Sequence, residues 1–315
     1  MVDLEKIKEA KERINEYIFK TPLIRMEILD EILNCEVYLK AECMQKTNSF
    51  KIRGALNKML SLPKEKIEKG VIAASSGNHG KGVAFAAKLL NIPATIVLPE
   101  NAPKIKIEGI QKLGAKTVLC ELSERHKIAK QLSVENDYTI IHPYDDYKII
   151  EGQGTIGLEI MEQQKDLDYV VVPIGGGGLI GGISTAVKSI NSNVKVIGIE
   201  PERLRRYGKS LEEGKRVLLN QEKSLADALL TIQPGEKNYP IVIKNVDKFS
   251  FSSDEYLKKG TDILLNQGKI LSEFSSASVI GAVLQGNLKF NKKDKVCFVI
   301  SGGNISMSQI IKEGE

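Results

Sequence analysis

The 315-residue sequence has no tryptophan, only four cysteines and only three histidines. None of the cysteines forms a C-x-x-C pair, and the histidines lack the spacing of zinc ligands. These absences argue against a disulfide scaffold and against a zinc site. Scattered single cysteines are typical of a protein that stays in a reducing compartment. The sequence therefore predicts a cytoplasmic protein.

Long apolar runs and charged blocks are also missing. No run approaches the ~18 apolar residues that a membrane-spanning helix needs. The N-terminal stretch VDLEKIKEAKERINEYI has the pattern of an amphipathic helix rather than of a signal peptide. The formal net charge is +5, but basic and acidic residues are interleaved, with no basic block or tail. We therefore predict neither a membrane nor a nucleic-acid partner, and the small basic excess is compatible with an anionic small-molecule ligand.

Short Val- and Ile-rich runs alternate with helical patterns along most of the chain. Such alternation predicts an α/β fold with parallel sheets, and continuous apolar runs are typical of strands buried on both faces. The predicted strands cover 37–42, 71–76, 94–99, 116–120, 138–143, 169–175, 194–200 and 295–303. The predicted helices between them cover 79–90, 103–113, 123–136, 150–164, 179–191, 254–267 and 276–289. The charged stretch 201–250 shows neither pattern and is predicted to be an irregular surface excursion.

A run of four glycines, Gly175 to Gly178, interrupts the stretch VVPIGGGGLIGG between a predicted strand and a predicted helix. It contains G-x-G-x-x-G, and Glu200 ends the next apolar run, as in a dinucleotide-binding fingerprint. Consecutive glycines are costly in backbone entropy, so four of them indicate a backbone nest around a phosphate. The loop alone leaves open whether that phosphate belongs to NAD or to another ligand.

Three further strand-to-helix corners carry polar residues. AASSGNHGKG (73–82) offers backbone N–H groups at a helix start and hydroxyl and amide donors, which suit an anion, although an ordinary N-capping turn fits equally well. VISGGNIS (299–306) alone is compatible with an ordinary turn. TNSFKIRGALNKM (47–59) contains Lys51, and a lysine in so lysine-rich a chain is usually a surface charge.

Taken together, these motifs resemble those of the pyridoxal-phosphate enzymes of the threonine dehydratase and serine racemase group. The stretch LKAECMQKTNSFKIRGALN resembles the segment around the cofactor lysine of that family. The other matching motifs are TPL (21–23), the substrate loop SSGNHG (75–80), GQGTIGLEI (152–160), the phosphate cup GGGG (175–178) and the pyridine-binding corner SGGN (301–304). The six motifs follow the family's order and span nearly the whole chain.

The resemblance implies a fold type II, tryptophan synthase β-like enzyme. Its α/β fold would have two domains, each a twisted, mostly parallel sheet flanked by helices. Residues 47–145 would form the small domain with the substrate loop, and 1–46 together with 146–315 would form the large cofactor-binding domain. Because the chain ends soon after the SGGN corner, no C-terminal regulatory domain is expected. Relatives are often dimers, so a homodimer is expected.

The resemblance also assigns cofactor contacts. Lys51 would form a Schiff base with pyridoxal 5′-phosphate, and for this its pKa should be lowered. Ser301 would face the pyridine nitrogen, and a neutral hydroxyl there favours loss of a β leaving group over transamination. Phe50 would lie against the ring, and Asn78 would hydrogen-bond its 3′ oxygen. The implied cofactor-binding residues are Phe50, Lys51, Asn78, Gly175, Gly176, Gly177, Gly178 and Ser301.

The implied reaction is the β-elimination of water from L-serine or L-threonine, which gives a 2-oxo acid and ammonia. Lys51 would be the general base, and Ser76 would be a second acid or base on the opposite face. The substrate carboxylate would be bound by Ser75, Ser76, Gly77, Asn78 and His79. The alternatives left open are a serine racemase, a dehydratase of another β-hydroxy amino acid such as 3-hydroxyaspartate, a cofactor-binding regulator without catalysis and, from another class, an NAD-dependent dehydrogenase.

The sequence departs from the family at several positions. Asn48 replaces the glycine of racemases before Ser-Phe-Lys, and Tyr144 favours dehydration because animal racemases carry Asn there. Racemase-like members bind a divalent cation with an acid at Glu200 and another a few positions later. Here the run EPERLRRYG places Arg205 and Arg206 instead, and cations repel Mg²⁺. We therefore predict no metal and expect an arginine to pair with Glu200.

Overall fold

The computed structural model describes residues 2–75, 77–102 and 104–314. In those ranges the chain forms fourteen α-helices and ten strands. The helices are α1 Leu4–Ile14, α2 Asp30–Leu33, α3 Lys51–Leu60, α4 Lys64–Lys69, α5 Asn78–Leu90, α6 Lys104–Gln111, α7 Arg125–Asn136, α8 Tyr147–Gln163, α9 Gly178–Ile190, α10 Arg206–Glu213, α11 Asn238–Asn245, α12 Asp254–Asn266, α13 Phe274–Leu284 and α14 Met307–Gly314. The strands are β1 Leu23–Arg25, β2 Glu36–Ala41, β3 Val71–Ala74, β4 Ala94–Pro99, β5 Lys116–Cys120, β6 Thr139–Ile140, β7 Tyr169–Pro173, β8 Lys195–Pro201, β9 Lys248–Ser252 and β10 Lys295–Ile300.

The larger sheet has the strand order β1-β2-β10-β7-β8-β9. Only β1 runs antiparallel to its neighbour. The sequence KVCFVI of β10 has no polar residue after its first position, and the structure explains why. Val296, Phe298 and Ile300 join one apolar cluster while Cys297 and Val299 join another. The strand therefore buries both faces, as alternate side chains of a strand point to opposite sides.

The smaller sheet has the order β5-β4-β3-β6, and its strands are all parallel. It is also covered on both faces. Ile96 and Leu98 of β4 pack into one cluster, and Val97 between them packs into another. The predicted α/β class with mostly parallel sheets is confirmed.

The two sheets use different parts of the chain. Every strand of the smaller sheet lies between residues 71 and 140, and every strand of the larger sheet lies before or after that stretch. The domain boundaries at 47 and 145 stay a prediction. Within the described ranges, no helix is long and apolar enough to cross a membrane.

The stretch 201–250 is not an irregular surface excursion, so that expectation was wrong. It contains α10, α11 and the start of β9, which pairs with β8. Tyr207 and Val242 within it are fully buried. Each of the two helices has only eight residues, which is shorter than the window of about 11–18 residues in which a periodic pattern identifies a helix.

Parallel strands bring their carboxyl ends to one edge of a sheet, and ligands of open α/β sheets bind there. Four of the singled-out motifs follow such strand ends. The glycine loop follows β7, Ser301 follows β10, the serine loop follows β3, and His142 to Asp146 follow β6. This arrangement places the candidate site between the two sheets.

Candidate active site

Lys51 is the first residue of α3, and a tight turn precedes it. Asn48 in that turn has a φ of 55°, a left-handed conformation that asparagine tolerates better than most residues. Its backbone oxygen accepts a hydrogen bond from Gly303 N–H at 2.9 Å. Phe50 N–H donates to the backbone oxygen of Ser301 at 3.1 Å. The turn therefore holds Lys51 against the segment that follows β10, and asparagine suits a position where racemases have glycine.

The Lys51 amine lies inside the site. Its Nζ donates a hydrogen bond to the backbone oxygen of Pro143 at 2.7 Å and lies 5.0 Å from the ring centre of Phe50. Burial lowers the pKa of Lys51 to about 8, and the negative charge of Glu273 acts in the opposite direction. A lysine with a pKa near 8 keeps roughly a tenth of its amine neutral at pH 7. Lys51 can therefore act as a nucleophile and as a base.

The glycine loop connects β7 to α9, and its glycines are required by close neighbours. Gly177 has a φ of 103°, and a Cβ there would lie 2.0 Å from Tyr207 Oη. A Cβ on Gly176 would lie 2.4 Å from the ring of Tyr144. The loop leads into the first turn of the 13-residue helix α9, where N–H groups have no partner within the helix. These features together suit a phosphate.

Residues 143 and 144 connect Lys51 to the glycine loop. Pro143 accepts the Lys51 hydrogen bond, and the next residue, Tyr144, packs on Gly176 and Gly178. Asn238 Nδ2 donates to the Tyr144 backbone oxygen at 2.9 Å, which fixes this connection. The lysine and the predicted phosphate cup are therefore neighbours. The sequence singled out Tyr144 but carried no signal for its position against the loop.

The predicted substrate loop leads into α5. Ser76 lies outside the described residues. Ser75 Oγ accepts a hydrogen bond from Gly77 N–H at 3.3 Å. His79 is buried, and its Nε2 lies 2.7 Å from the backbone oxygen of Ile141, to which it donates. Burial and the nearby charge of Lys51 lower the pKa of His79 to about 3, so its ring is neutral. The loop thus offers backbone N–H groups at a helix start, while the His79 ring is held by the backbone.

Asn78, the first residue of α5, has both ends of its side-chain amide engaged. Its Nδ2 donates to Glu273 Oε1 at 2.8 Å, and its Oδ1 accepts from Asn304 Nδ2 at 2.7 Å. Glu273 is 5% exposed and was not predicted as a site residue. A signal was available, since Glu273 is the single charged residue between Lys269 and Lys289.

Ser301 directly follows β10 and is buried. Its Oγ lies 2.8 Å from Ser276 Oγ, with which it shares a hydrogen bond. Ser276 Oγ also accepts from Gly302 N–H at 2.7 Å. The hydroxyl predicted to face a pyridine nitrogen therefore has another hydroxyl as its side-chain partner.

The Glu200 carboxylate is part of a buried ion pair. Its Oε1 lies 3.7 Å from Arg206 Nε, and both side chains are at most 1% exposed. Its two oxygens accept hydrogen bonds from Tyr207 N–H and Gly208 N–H, each at 2.9 Å. The expectation that an arginine pairs with Glu200 is confirmed for Arg206. Arg205 is partly exposed and pairs with Glu212 instead.

This buried cluster also contacts the glycine loop. Arg206 Nη1 donates to the backbone oxygen of Ile174 at 3.2 Å, and Tyr207 Oη donates to that of Gly176 at 3.0 Å. The Glu200 carboxylate is thus engaged by protein groups and is not presented to a ribose, contrary to the dinucleotide interpretation. Across the described ranges, there is no group of three or more His, Cys, Asp or Glu residues that could hold a metal ion.

Comparison with known proteins gives consistent findings. The family model described as pyridoxal-phosphate dependent enzyme matches residues 14–302. The chain is 42% identical over 312 residues to the L-threonine ammonia-lyase of Thermotoga maritima, an alignment that covers 98% of this chain and 77% of the relative. The structure is similar to that of maize serine racemase, with a TM-score of 0.94, 33% identity and coverage of 99% of this chain and 97% of the other. It is also similar to the processed form of threonine deaminase isoform 2 from Solanum lycopersicum, with a TM-score of 0.92, 34% identity and coverage of 99% and 88%.

Proposed function

The chain belongs to the pyridoxal-phosphate dependent enzymes, and from this premise we propose that it removes water from L-threonine or L-serine to give a 2-oxo acid and ammonia. The observation that carries the proposal is the buried amine of Lys51, whose pKa is lowered to about 8 and whose partner Pro143 adjoins the glycine loop. The names of the relatives, a threonine ammonia-lyase and a threonine deaminase, support the reaction class.

The residues present fit pyridoxal phosphate. In the loop from Gly175 to Gly178, side chains at Gly176, Gly177 or Gly178 would clash with their neighbours, and the loop precedes a helix start, which suits the phosphate group. Lys51 would bind the aldehyde carbon, and Phe50 would lie against the ring. Asn78 would bind the 3′ oxygen of the cofactor, and Ser301 would face its ring nitrogen. When bound, the cofactor withdraws electrons from the substrate α-carbon and makes its proton removable.

Lys51 is the proposed general base. In its neutral form the amine can take the proton from the substrate α-carbon, and a base with a pKa near the working pH is efficient at this. Ser76 is proposed as the group on the opposite face, and this proposal rests on the sequence resemblance because Ser76 is not among the described residues.

The start of α5 is the proposed site for the substrate carboxylate. A 13-residue helix begins at Asn78, and N–H groups at a helix start favour an anion. Ser75, Gly77 and His79 would contribute here through their backbone, with the Ser75 hydroxyl as a further donor. A carboxylate bound there would orient the α-carbon toward Lys51.

The surroundings of Ser301 support elimination over transamination. Its side-chain partner is the Ser276 hydroxyl, so within the described part of the chain no carboxylate is paired with it to stabilise a proton on the ring nitrogen. Ser301 would thus leave the ring nitrogen without a proton, which would make the cofactor a weaker electron sink and favour loss of the β-hydroxyl as water over reprotonation.

A racemase is the second candidate, favoured by the similarity to maize serine racemase. A substrate panel separates the two: L-threonine, L- and D-serine and both 3-hydroxyaspartates, with 2-oxo acid and product chirality measured together. We expect 2-oxo acid from L-threonine or L-serine. Formation of D-serine without 2-oxo acid would instead establish racemisation, and product from 3-hydroxyaspartate alone would correct the substrate class.

Lys51→Ala is the matching test of the site. The wild-type protein should become yellow with pyridoxal phosphate, and the variant should lose both the colour and the 2-oxo acid. Lys88→Ala on the exposed side of α5 is the control, and it should keep both. A yellow wild type that turns over no hydroxy amino acid would favour a cofactor-binding regulator and contradict the proposal.

We also propose that the protein is a cytoplasmic homodimer. The described cysteines are all buried and free, which suits a reducing compartment. Ile28 and Ile32 are 57% and 42% exposed and lie one turn apart, an apolar surface that a second copy of the chain can cover. Light scattering should give twice the mass of one chain, and a monomer mass would contradict the dimer.

A further inference from the structure

Four polar side chains form a continuous line of hydrogen bonds from Lys81 to Glu273. Lys81 Nζ donates to Asn304 Oδ1 at 2.8 Å. Asn304 Nδ2 donates to Asn78 Oδ1 at 2.7 Å. Asn78 Nδ2 donates to Glu273 Oε1 at 2.8 Å. A basic group thus stands at one end of the line, an acidic group at the other, and two amides lie between them.

The chemistry of the ends gives this line a direction. A lysine ammonium group can only donate hydrogen bonds, and a carboxylate can only accept them, whereas an amide has one donating and one accepting end. Lys81 therefore turns the Asn304 oxygen toward itself and the Asn304 nitrogen toward Asn78. Glu273 draws the Asn78 nitrogen toward the carboxylate. Both ends select the same orientation of each amide.

Neighbouring contacts support this orientation. Asn304 Nδ2 also donates to the backbone oxygen of Thr47 at 2.9 Å, which an amide turned the other way would not do. Lys81 Nζ also lies 3.4 Å from Asn48 Oδ1, a second acceptor. Burial lowers the pKa of Lys81, and the negative charge of Glu273 opposes that shift.

We propose that Lys81 and Glu273 are positioning residues that fix the amide of Asn78 so that it presents N–H, and not its carbonyl oxygen, to the 3′ oxygen of the cofactor. This inference rests on the proposed function, in which Asn78 donates to that oxygen. An amide nitrogen carries two hydrogens. One is bound by Glu273, and the other remains for the cofactor.

A flipped amide would present an acceptor to a negatively charged oxygen. The lost hydrogen bond to a charged group corresponds to about ten- to a hundredfold weaker cofactor binding. Removing only Lys81 leaves Glu273 and the Thr47 backbone oxygen to favour the correct orientation, so the loss should lie at the lower end of this range. We therefore expect about a tenfold weaker affinity from Lys81→Met and a comparable loss from Glu273→Gln, because a glutamine no longer requires a donor opposite it.

The test is the dissociation constant of pyridoxal phosphate, measured by titrating the cofactor-free protein and following the visible absorption. Lys81→Arg keeps a donor-only end and should stay within about twofold of wild type. Lys88→Met removes an exposed lysine from the same helix and should have no effect. The thermal midpoint of each cofactor-free variant reports whether it folds.

A double-mutant cycle separates positioning from a general effect on structure. If Lys81 acts through Asn78, then Lys81→Met should weaken binding about tenfold in the wild-type background and hardly at all in an Asn78→Ala background. Equal losses in the two backgrounds would overturn the inference, as would an unchanged affinity of the folded Lys81→Met variant. A wild-type protein that does not bind the cofactor would instead contradict the proposed function, so the two failures are distinguishable.

Discussion

Replacing Arg206 with methionine tests the buried ion pair behind the glycine loop. Arg206 and Glu200 are at most 1% exposed, and their charged atoms lie 3.7 Å apart. Removing one partner of a buried pair leaves an uncompensated charge, which costs about 3–5 kcal/mol. Glu200 would keep its bonds from Tyr207 N–H and Gly208 N–H. We therefore expect the free energy of unfolding to fall by about 3 kcal/mol, the lower value of this range.

The assay is urea denaturation of the cofactor-free protein, followed by circular dichroism. Arg205→Met is the matched control because Arg205 adjoins Arg206 but is 39% exposed and pairs with an exposed Glu212. Surface pairs contribute about 0–1 kcal/mol, and the contact of Arg205 with the Phe251 ring adds a similar amount. The control should therefore lose at most about 2 kcal/mol, less than Arg206→Met.

A pH series gives the prediction a second signature. Burial raises the pKa of Glu200, and the charge of Arg206 opposes that shift. Without Arg206 the pKa rises further, and a group whose pKa is raised on folding stabilises at low pH and loses that contribution as the pH rises. The loss of unfolding free energy in Arg206→Met should therefore shrink as the pH is lowered. The reasoning would be refuted if Arg206→Met lowered the free energy of unfolding by less than about 1 kcal/mol, or if its loss grew as the pH fell.

Three further predictions follow from the same site. Chelator treatment should leave activity unchanged because Arg206 pairs with Glu200; a loss that Mg²⁺ or Ca²⁺ restores would contradict this. Gly177→Ala should weaken cofactor binding by at least about tenfold, since its φ is 103° and its Cβ would lie 2.0 Å from Tyr207 Oη. The control Gly214→Ala has a φ of 68° and open space, and should cost only about 1–2 kcal/mol of stability. Because the neutral amine reacts and the pKa of Lys51 is about 8, cofactor capture measured by stopped-flow absorption should slow about tenfold for each pH unit below that value and level off above it; a flat profile would contradict it.

The buried centre of each sheet was predictable because its strands are apolar on both faces. The predicted range 94–99 is the observed β4, and the predicted range 169–175 contains the observed β7. Accuracy was uneven at the sheet edges, where 116–120 is the observed edge strand β5 but other edge strands were shortened or missed. The predicted strand 138–143 is only Thr139–Ile140 at one edge, and the three-residue β1 at the other sheet's edge was missed. Edge strands are short and half-exposed, so composition identifies them poorly.

The residues of the candidate site also differ in how far the sequence could predict them. Lys51 and the glycine loop lie in local motifs that a sequence carries in consecutive letters. Glu273 was missed because its role depends on Asn78, which is 195 residues away in the chain. Tyr207 was missed because it lies in a short helix within a charged stretch and meets Gly176 only in the fold. Contacts between distant segments leave no periodic pattern, so a single sequence cannot indicate them.

Glu200 shows how far a local fingerprint can identify a ligand. The G-x-G-x-x-G loop before α9 creates a backbone nest at a helix start, and that nest suits any phosphate. Only the acid after the next strand would select a dinucleotide, through its ribose. Here that acid is 1% exposed, binds the start of α10 and pairs with Arg206. The loop therefore predicts an anion, and the pairing of Glu200 with Arg206 argues against NAD. Lys51 donates to the backbone oxygen of Pro143 beside the loop, and in its proposed role an amine at this place would select a phosphate that carries an aldehyde.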